Sequence, residues 1–127
     1  MSAGPQLVSD LGQVAVTVSD VSRAKEFYHG VLGLKHLFDA GPNLAFLTAG
    51  NVRLMLTVPQ GAGTAGKNSV LYFRTTGLES AYPALLARGA TGERAPQLTA
   101  KMPDHDLWMA FVRDPDGNLV GLMEERR

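Results

Sequence analysis

Residues 12–34 read GQVAVTVSDVSRAKEFYHGVLGL, and this stretch decides the fold. Val14, Val16 and Val18 alternate with Gln13, Ala15 and Thr17. A period of two built on β-branched residues predicts a strand over Gly12–Ser19 with one buried face. Asp20 then offers an N-cap carboxylate. Val21, Ala24, Phe27, Tyr28, Val31 and Leu32 recur at helical spacing, and Gly33 supplies the stop. Downstream lie three short strand-like runs, Leu34–Phe38, Leu44–Thr48 and Val52–Val58. Gly41-Pro42-Asn43 and Gly50-Asn51 separate them as turns.

The same order then begins again. Gln60 to Asn68, QGAGTAGKN, is a flexible loop by composition. Val70–Thr75 alternates like a strand. A helix is predicted over Gly77–Gly89, with Leu78, Ala81, Leu85 and Leu86 as its apolar stripe. Ser80 is the expected N-cap, which would place Pro83 in the first turn, where its missing N–H costs nothing. An extended segment near Pro96–Met102, a strand Leu107–Arg113, the turn Asp114–Asn118 and a last strand Leu119–Glu124 complete the chain. The repeats superpose residue on residue: Val14, Val16 and Val21 fall on Leu71, Phe73 and Leu78. Ala45-Phe46-Leu47 falls on Ala110-Phe111-Val112, and Leu54-Met55-Leu56 on Val120-Gly121-Leu122. Each copy is too small to bury its own core. One α+β domain over residues 1–127 is expected, made of two tandem βαβββ repeats: about 11–58, a hinge at 59–67, and about 68–124.

Composition narrows the function. The chain has 127 residues, with twelve Lys+Arg against twelve Asp+Glu and no cysteine. Disulfides, thiolate nucleophiles and thiolate metal sites are excluded. A neutral chain without a basic block argues against nucleic acid and anionic membrane as partners. Neither a signal peptide nor a spanning helix is recognisable, so a cytoplasmic location is expected.

Two phrases carry a family resemblance. Val18–Leu34, VSDVSRAKEFYHGVLGL, resembles the opening of vicinal oxygen chelate proteins, and Phe111–Val120, FVRDPDGNLV, resembles the close of their second repeat. That group includes glyoxalases, epimerases, extradiol dioxygenases, fosfomycin-modifying enzymes and bleomycin-binding resistance proteins. The resemblance runs from Leu11 to Glu124 and implies a curved mixed sheet around a cleft, with the helices outside. It implies metal ligands on the first, fourth, fifth and eighth strands, usually His or Gln, Glu or Gln, His, and Glu. Those positions read Gln13, Met55, Val70 and Gly121 here. Only Gln13 offers a hard donor, and a stable site needs three or more, so neither metal nor other cofactor is expected. The bleomycin-resistance branch implies a small-molecule binding protein acting by drug or metabolite sequestration, and a homodimer. The alternative is a lyase, isomerase or dioxygenase-like enzyme with an off-pattern metal or metal-free acid–base chemistry through His105 and Tyr72.

Alternation assigns the faces. Val14/Val16/Val18, Leu54/Leu56, Leu71/Phe73 and Val120/Leu122 should lie under the helices. Opposite them fall Gln13/Ala15/Thr17, Arg53/Met55/Thr57, Val70/Tyr72/Arg74 and Leu119/Gly121/Met123. That mixture is either a solvated sheet face or a ligand cleft with a few polar groups among apolar walls. The candidate ligand-binding residues are Gln13, Phe46, Arg53, Met55, Tyr72, Arg74, Met102, His105, Trp108 and Gly121. Gln13 also reads as a solvent-facing amide at a strand start, and Trp108 as ordinary core. His105, flanked by Asp104 and Asp106, is a polar contact, a general acid or a solvated loop residue. No carboxylate falls beside Arg53 and Arg74 on this alternation. The expected ligand is therefore aromatic or amphipathic with an anionic or oxygen-rich group. Two near-motifs fail on context. Gly61–Asn68 resembles a phosphate loop but precedes a strand. Asp114-x-Asp116-x-Asn118 resembles a calcium loop, but Pro115 and Gly117 suit a tight turn.

Overall fold

The computed structural model describes residues 4–61 and 63–127. The elements are β1 (Gln13–Thr17), α1 (Val21–Lys25), β2 (Lys35–Asp39), β3 (Leu44–Ala49), β4 (Val52–Thr57), β5 (Leu71–Arg74), α2 (Leu78–Ala87), β6 (Thr91–Lys101), β7 (Asp106–Arg113) and β8 (Leu119–Arg126). After Lys25 the first helix widens into a π-helical stretch, Glu26–Val31, in which the Leu32 N–H donates to the Phe27 carbonyl five residues back at 2.9 Å. Among the described residues the strands form two four-stranded mixed sheets, ordered β1-β4-β3-β2 and β5-β8-β7-β6. In each, the first strand lies parallel to the last and the remaining pairs are antiparallel.

The register reproduces the internal repeat. Val14 pairs with Leu54 and Val16 with Leu56, as Leu71 pairs with Val120 and Phe73 with Leu122. Ala45 opposes Leu56, and Ala110 opposes Leu122. A one-residue slip would turn every apolar side chain outward, so the buried face fixes this pairing. Val16, Val18, Leu54, Leu56, Ala110, Val112, Val120 and Leu122 are buried, with Val21, Ala24, Phe27, Tyr28, Leu78 and Leu85 supplied by the helices.

The repeats are sewn together at the Asp114–Asn118 turn. Asp114 accepts from the backbone N–H groups of Asp116 and Asn118 and from the Asn118 amide. It also accepts from the Tyr28 hydroxyl of the first repeat. Asp116 holds the backbone N–H and hydroxyl of Ser19. The Asn68 side chain bonds both the N–H and the carbonyl of Thr17, and donates to Asn118. The loop with the look of a phosphate site therefore ends in a clasp between repeats and runs on to β5.

Two helix details differ from expectation. α2 starts at Leu78, capped at Gly77 rather than Ser80, and Pro83 lies inside it. The equivalent start of α1 is capped by the Asp20 side chain, which accepts from the Arg23 N–H. Gly77 has no side chain, so the cap is brought from another strand: Glu124 on β8 accepts from the Gly77 N–H at 2.7 Å and the Leu78 N–H at 3.3 Å. The Gly77 N–H, helped by Arg126 and the Leu78 N–H, holds the Glu124 carboxyl below its usual range. A depressed native value adds stability above the unfolded carboxyl range of about 4.3, and that stability is lost as pH falls through the native value. Glu124→Ala should therefore cost about 1 kcal/mol at neutral pH, the usual worth of a cap. Denaturant melts across the acid range check this: the gap between wild type and variant should close as the carboxyl protonates. A gap independent of pH would refute the cap.

Candidate functional site

The face turned away from the helices is built from the other half of each alternation. On the first sheet Gln13 lies beside Arg53, Ala15 beside Met55, Met55 beside Phe46, and Phe46 beside Phe38. Arg53 Nε donates to Gln13 Oε1 at 2.6 Å, and its guanidinium lies 5.1 Å from the Phe46 ring centre. Phe46 stacks on Phe38 with centroids 4.8 Å apart. The result is an aromatic platform crossed by a cation, with Phe38 half-exposed. Contact with the ring face favours the cation and sets the direction of its remaining donors.

On the second sheet Tyr72 pairs with Gly121, and Gly121 with Phe111. Tyr72 packs edge-on to Phe111, with centroids 5.8 Å apart, yet stays 46% exposed. Gly121 is buried beneath that ring: a Cβ placed there would lie 2.5 Å from Tyr72 Cδ2. Glycine is therefore required for the ring to lie flat on the strand.

This donor set does not fit the metal of the vicinal oxygen chelate pattern. The Gln13 oxygen is taken by Arg53. Met55 presents a thioether, which contacts the Gln13 amide at 3.7 Å. Val70 has no donor, and the Tyr72 ring fills the space that a side chain at 121 would need. Among the described residues no group of three or more His, Asp or Glu could hold a metal ion.

The far end of the second sheet is polar. Arg74 Nη2 lies 3.6 Å from Glu125 Oε2, and Arg127 lies 3.4 Å from Glu125 and 3.6 Å from Asp104. His105 Nδ1 bonds Asp104 at 2.7 Å, with Nε2 3.9 Å from Glu125. The hydrogen bond from His105 holds the Asp104 carboxyl below its usual range. The expectation that no carboxylate answers Arg74 is thus corrected. β8 runs to Arg126 rather than stopping at Glu124, so Glu125 continues the Gly121, Met123 alternation onto this face. Glu125 and Phe111 were the residues missed, and continued alternation was the signal that could have found them.

Trp108 takes the core position of its two readings. It opposes Glu124 on β8 and shares the face of Ala110 and Val112, packed against the core beneath the helices. The Arg126 guanidinium covers its ring at 4.2 Å, held in turn by Glu124 and Glu79. Burial of Ala110 and Val112 fixes the parity of β7, and Trp108 must follow it. Met102 closes the turn after β6, its N–H donating to the His105 carbonyl at 2.8 Å. Of the ten candidates, Gln13, Phe46, Arg53 and Met55 form one group and Tyr72 with Gly121 a second. Arg74 and His105 meet through Glu125. His36 bonds Asp39 at 2.8 Å on the edge strand β2.

Residues 10–122 match the glyoxalase/bleomycin resistance protein/dioxygenase superfamily, and the chain belongs to that superfamily. Among solved structures it is similar to an integron cassette protein from Vibrio cholerae, at 24% identity over 95% of this chain and 98% of that one, with a TM-score of 0.78. A superfamily member from Sphaerobacter thermophilus is 25% identical over 94% of this chain and 100% of its own, with a TM-score of 0.76. TnmS3, an antibiotic-binding protein from a Streptomyces species, is 25% identical over 95% and 99%, with a TM-score of 0.74.

Proposed function

We propose that this chain is a metal-free binding protein that sequesters a small aromatic or amphipathic molecule carrying an anionic or oxygen-rich group. One observation carries the reading: the Tyr72 ring lies over Gly121, in the space of the eighth-strand metal ligand. A position that would feed a metal has become an aromatic wall. The Phe38–Phe46 stack supplies a second wall, and Arg53 a fixed cation beside it. Flat ring faces with a few oriented donors suit an aromatic anion. The likeness to an antibiotic-binding protein supports a ligand of drug or metabolite class. In this reading the protein is a cytoplasmic homodimer; β2 and β6 stand at the ends of their sheets, edges that a second copy can shield.

The second reading is metal-free acid–base catalysis, favoured by the His105–Asp104 hydrogen bond at 2.7 Å. Metal analysis and a thermal-shift screen of aromatic carboxylates and phenols test both. Binding at one hundred times the dissociation constant should stabilise the fold by about 2.7 kcal/mol. The hit should be recovered unchanged after incubation, whereas turnover that disappears in His105→Gln would establish the enzymatic reading. Stoichiometric divalent metal that survives dialysis and is lost in Gln13→Ala would overturn the metal-free one.

A further inference from the structure

A cavity of about 700 Å³ borders both sheets, α2 and the segment that follows the first helix. Its walls include Val14 and Leu54 of the first sheet, Leu71 and Phe73 of the second, and Leu85 and Arg88 at the end of α2. Val14, Leu54, Leu71 and Phe73 belong to the helix-side alternation, so this space is built from different side chains than the Phe46–Arg53 platform. Its volume is that of a ligand pocket partly open to solvent, with walls more apolar than polar.

The charge on the wall is one-sided. Among the described residues, Arg74 and Arg88 border the cavity and no Asp or Glu does. Arg74 is answered from outside by Glu125. Among the described residues no carboxylate lies within ion-pair distance of Arg88; its Nη1 donates to the Val31 carbonyl at 2.9 Å. That bond holds one edge of the exposed guanidinium at the cavity wall and leaves its other donors free for a ligand. A hydrocarbon chain matches the apolar lining, and a single anionic head matches the pinned fork of donors.

We propose that this cavity is a second ligand site, which takes a straight-chain monocarboxylate with its head at Arg88 and its chain between the sheets. The site does not use the Phe38–Phe46–Arg53 wall and does not rest on the sequestration reading, although Tyr72 and Arg74 border it as well. A competing occupant is on the same chain: Leu7, Val8 and Leu11 are exposed and lead into β1.

Isothermal titration with decanoate and with decyltrimethylammonium tests the proposal. Decanoate should bind one per chain, at least tenfold tighter than the cation of equal chain length. Arg88→Gln keeps an amide to donate to Val31 and should weaken decanoate at least tenfold, whereas Arg88→Lys, which keeps the charge without the fork, should weaken it less. Ala81→Phe, or Ala84→Phe should the first fail to fold, fills the cavity and should abolish binding. Lys101→Gln, at an exposed cation outside the cavity wall, should leave it unchanged. Equal binding of the two amphiphiles, undiminished binding in a folded filler variant, or loss in Lys101→Gln would each overturn the site. Decanoate binding that appears only when Leu7, Val8 and Leu11 are replaced by serine would assign the cavity to the N-terminal arm and overturn it as well.

Discussion

Asp114→Ala should lower the unfolding free energy by about 3–5 kcal/mol, the cost of leaving charge-assisted buried partners unanswered. Asp114 is 4% exposed and accepts from Tyr28, Asp116 and Asn118, the last through both its backbone and its amide, at 2.8–2.9 Å. Alanine would strand all of these donors and unpick the turn that also holds Ser19 and Asn68. Asp114→Asn keeps one acceptor oxygen and should cost clearly less. Urea midpoints at constant m value decide it, and a loss below about 1 kcal/mol for the alanine variant would show that water replaces the carboxylate. Tyr28 gives a second readout. Burial pushes its hydroxyl well above the usual phenol range, and the Asp114 charge adds to the shift. A raised native value means that the contribution is complete below the unfolded value of about 10 and is lost as pH rises through the native one. Wild type should therefore lose stability on the alkaline side with a slope that Tyr28→Phe reduces.

Arg53→Met should weaken an aromatic carboxylate found by the thermal-shift screen more than tenfold, about 1.4 kcal/mol or more. Methionine keeps most of the side chain's apolar bulk over Phe46 while removing the fork of donors. Arg74→Met should have a smaller effect. The Arg74 side chain is 76% exposed and already lies 3.6 Å from Glu125, whereas Arg53 is fixed by Gln13 and the ring beneath it. Calorimetric titration of the two variants ranks them directly. A larger loss for Arg74 would move the anion subsite to the His105–Glu125 end of the second sheet.

The two readings of Arg74 show where the sequence stops. Alternation assigned Arg74 to the helix-free face. The nearest carboxylate depended on how far β8 continues, and strand ends depend on pairing with β7 rather than on local pattern. α2 carries the same lesson. Ser80 is a good cap by local chemistry, but Glu124, 47 residues away, caps Gly77 instead, and no local signal records a cap supplied by another strand.

What the sequence determined by itself is the repeat, its register and the buried face of each sheet. These rest on hydrophobic periodicity, a local property repeated twice, and Val14↔Leu54 and Leu71↔Val120 obey it in the same way. Tertiary structure alone decided which polar groups meet. Gln13 is paired to Arg53 across 40 residues, Tyr72 lies on Gly121, and Trp108 is turned under Arg126, away from the other candidates. Hydrogen bonds, ring contacts and ion pairs require atoms within a few ångströms, and only the packed sheets bring residues so distant along the chain to that separation.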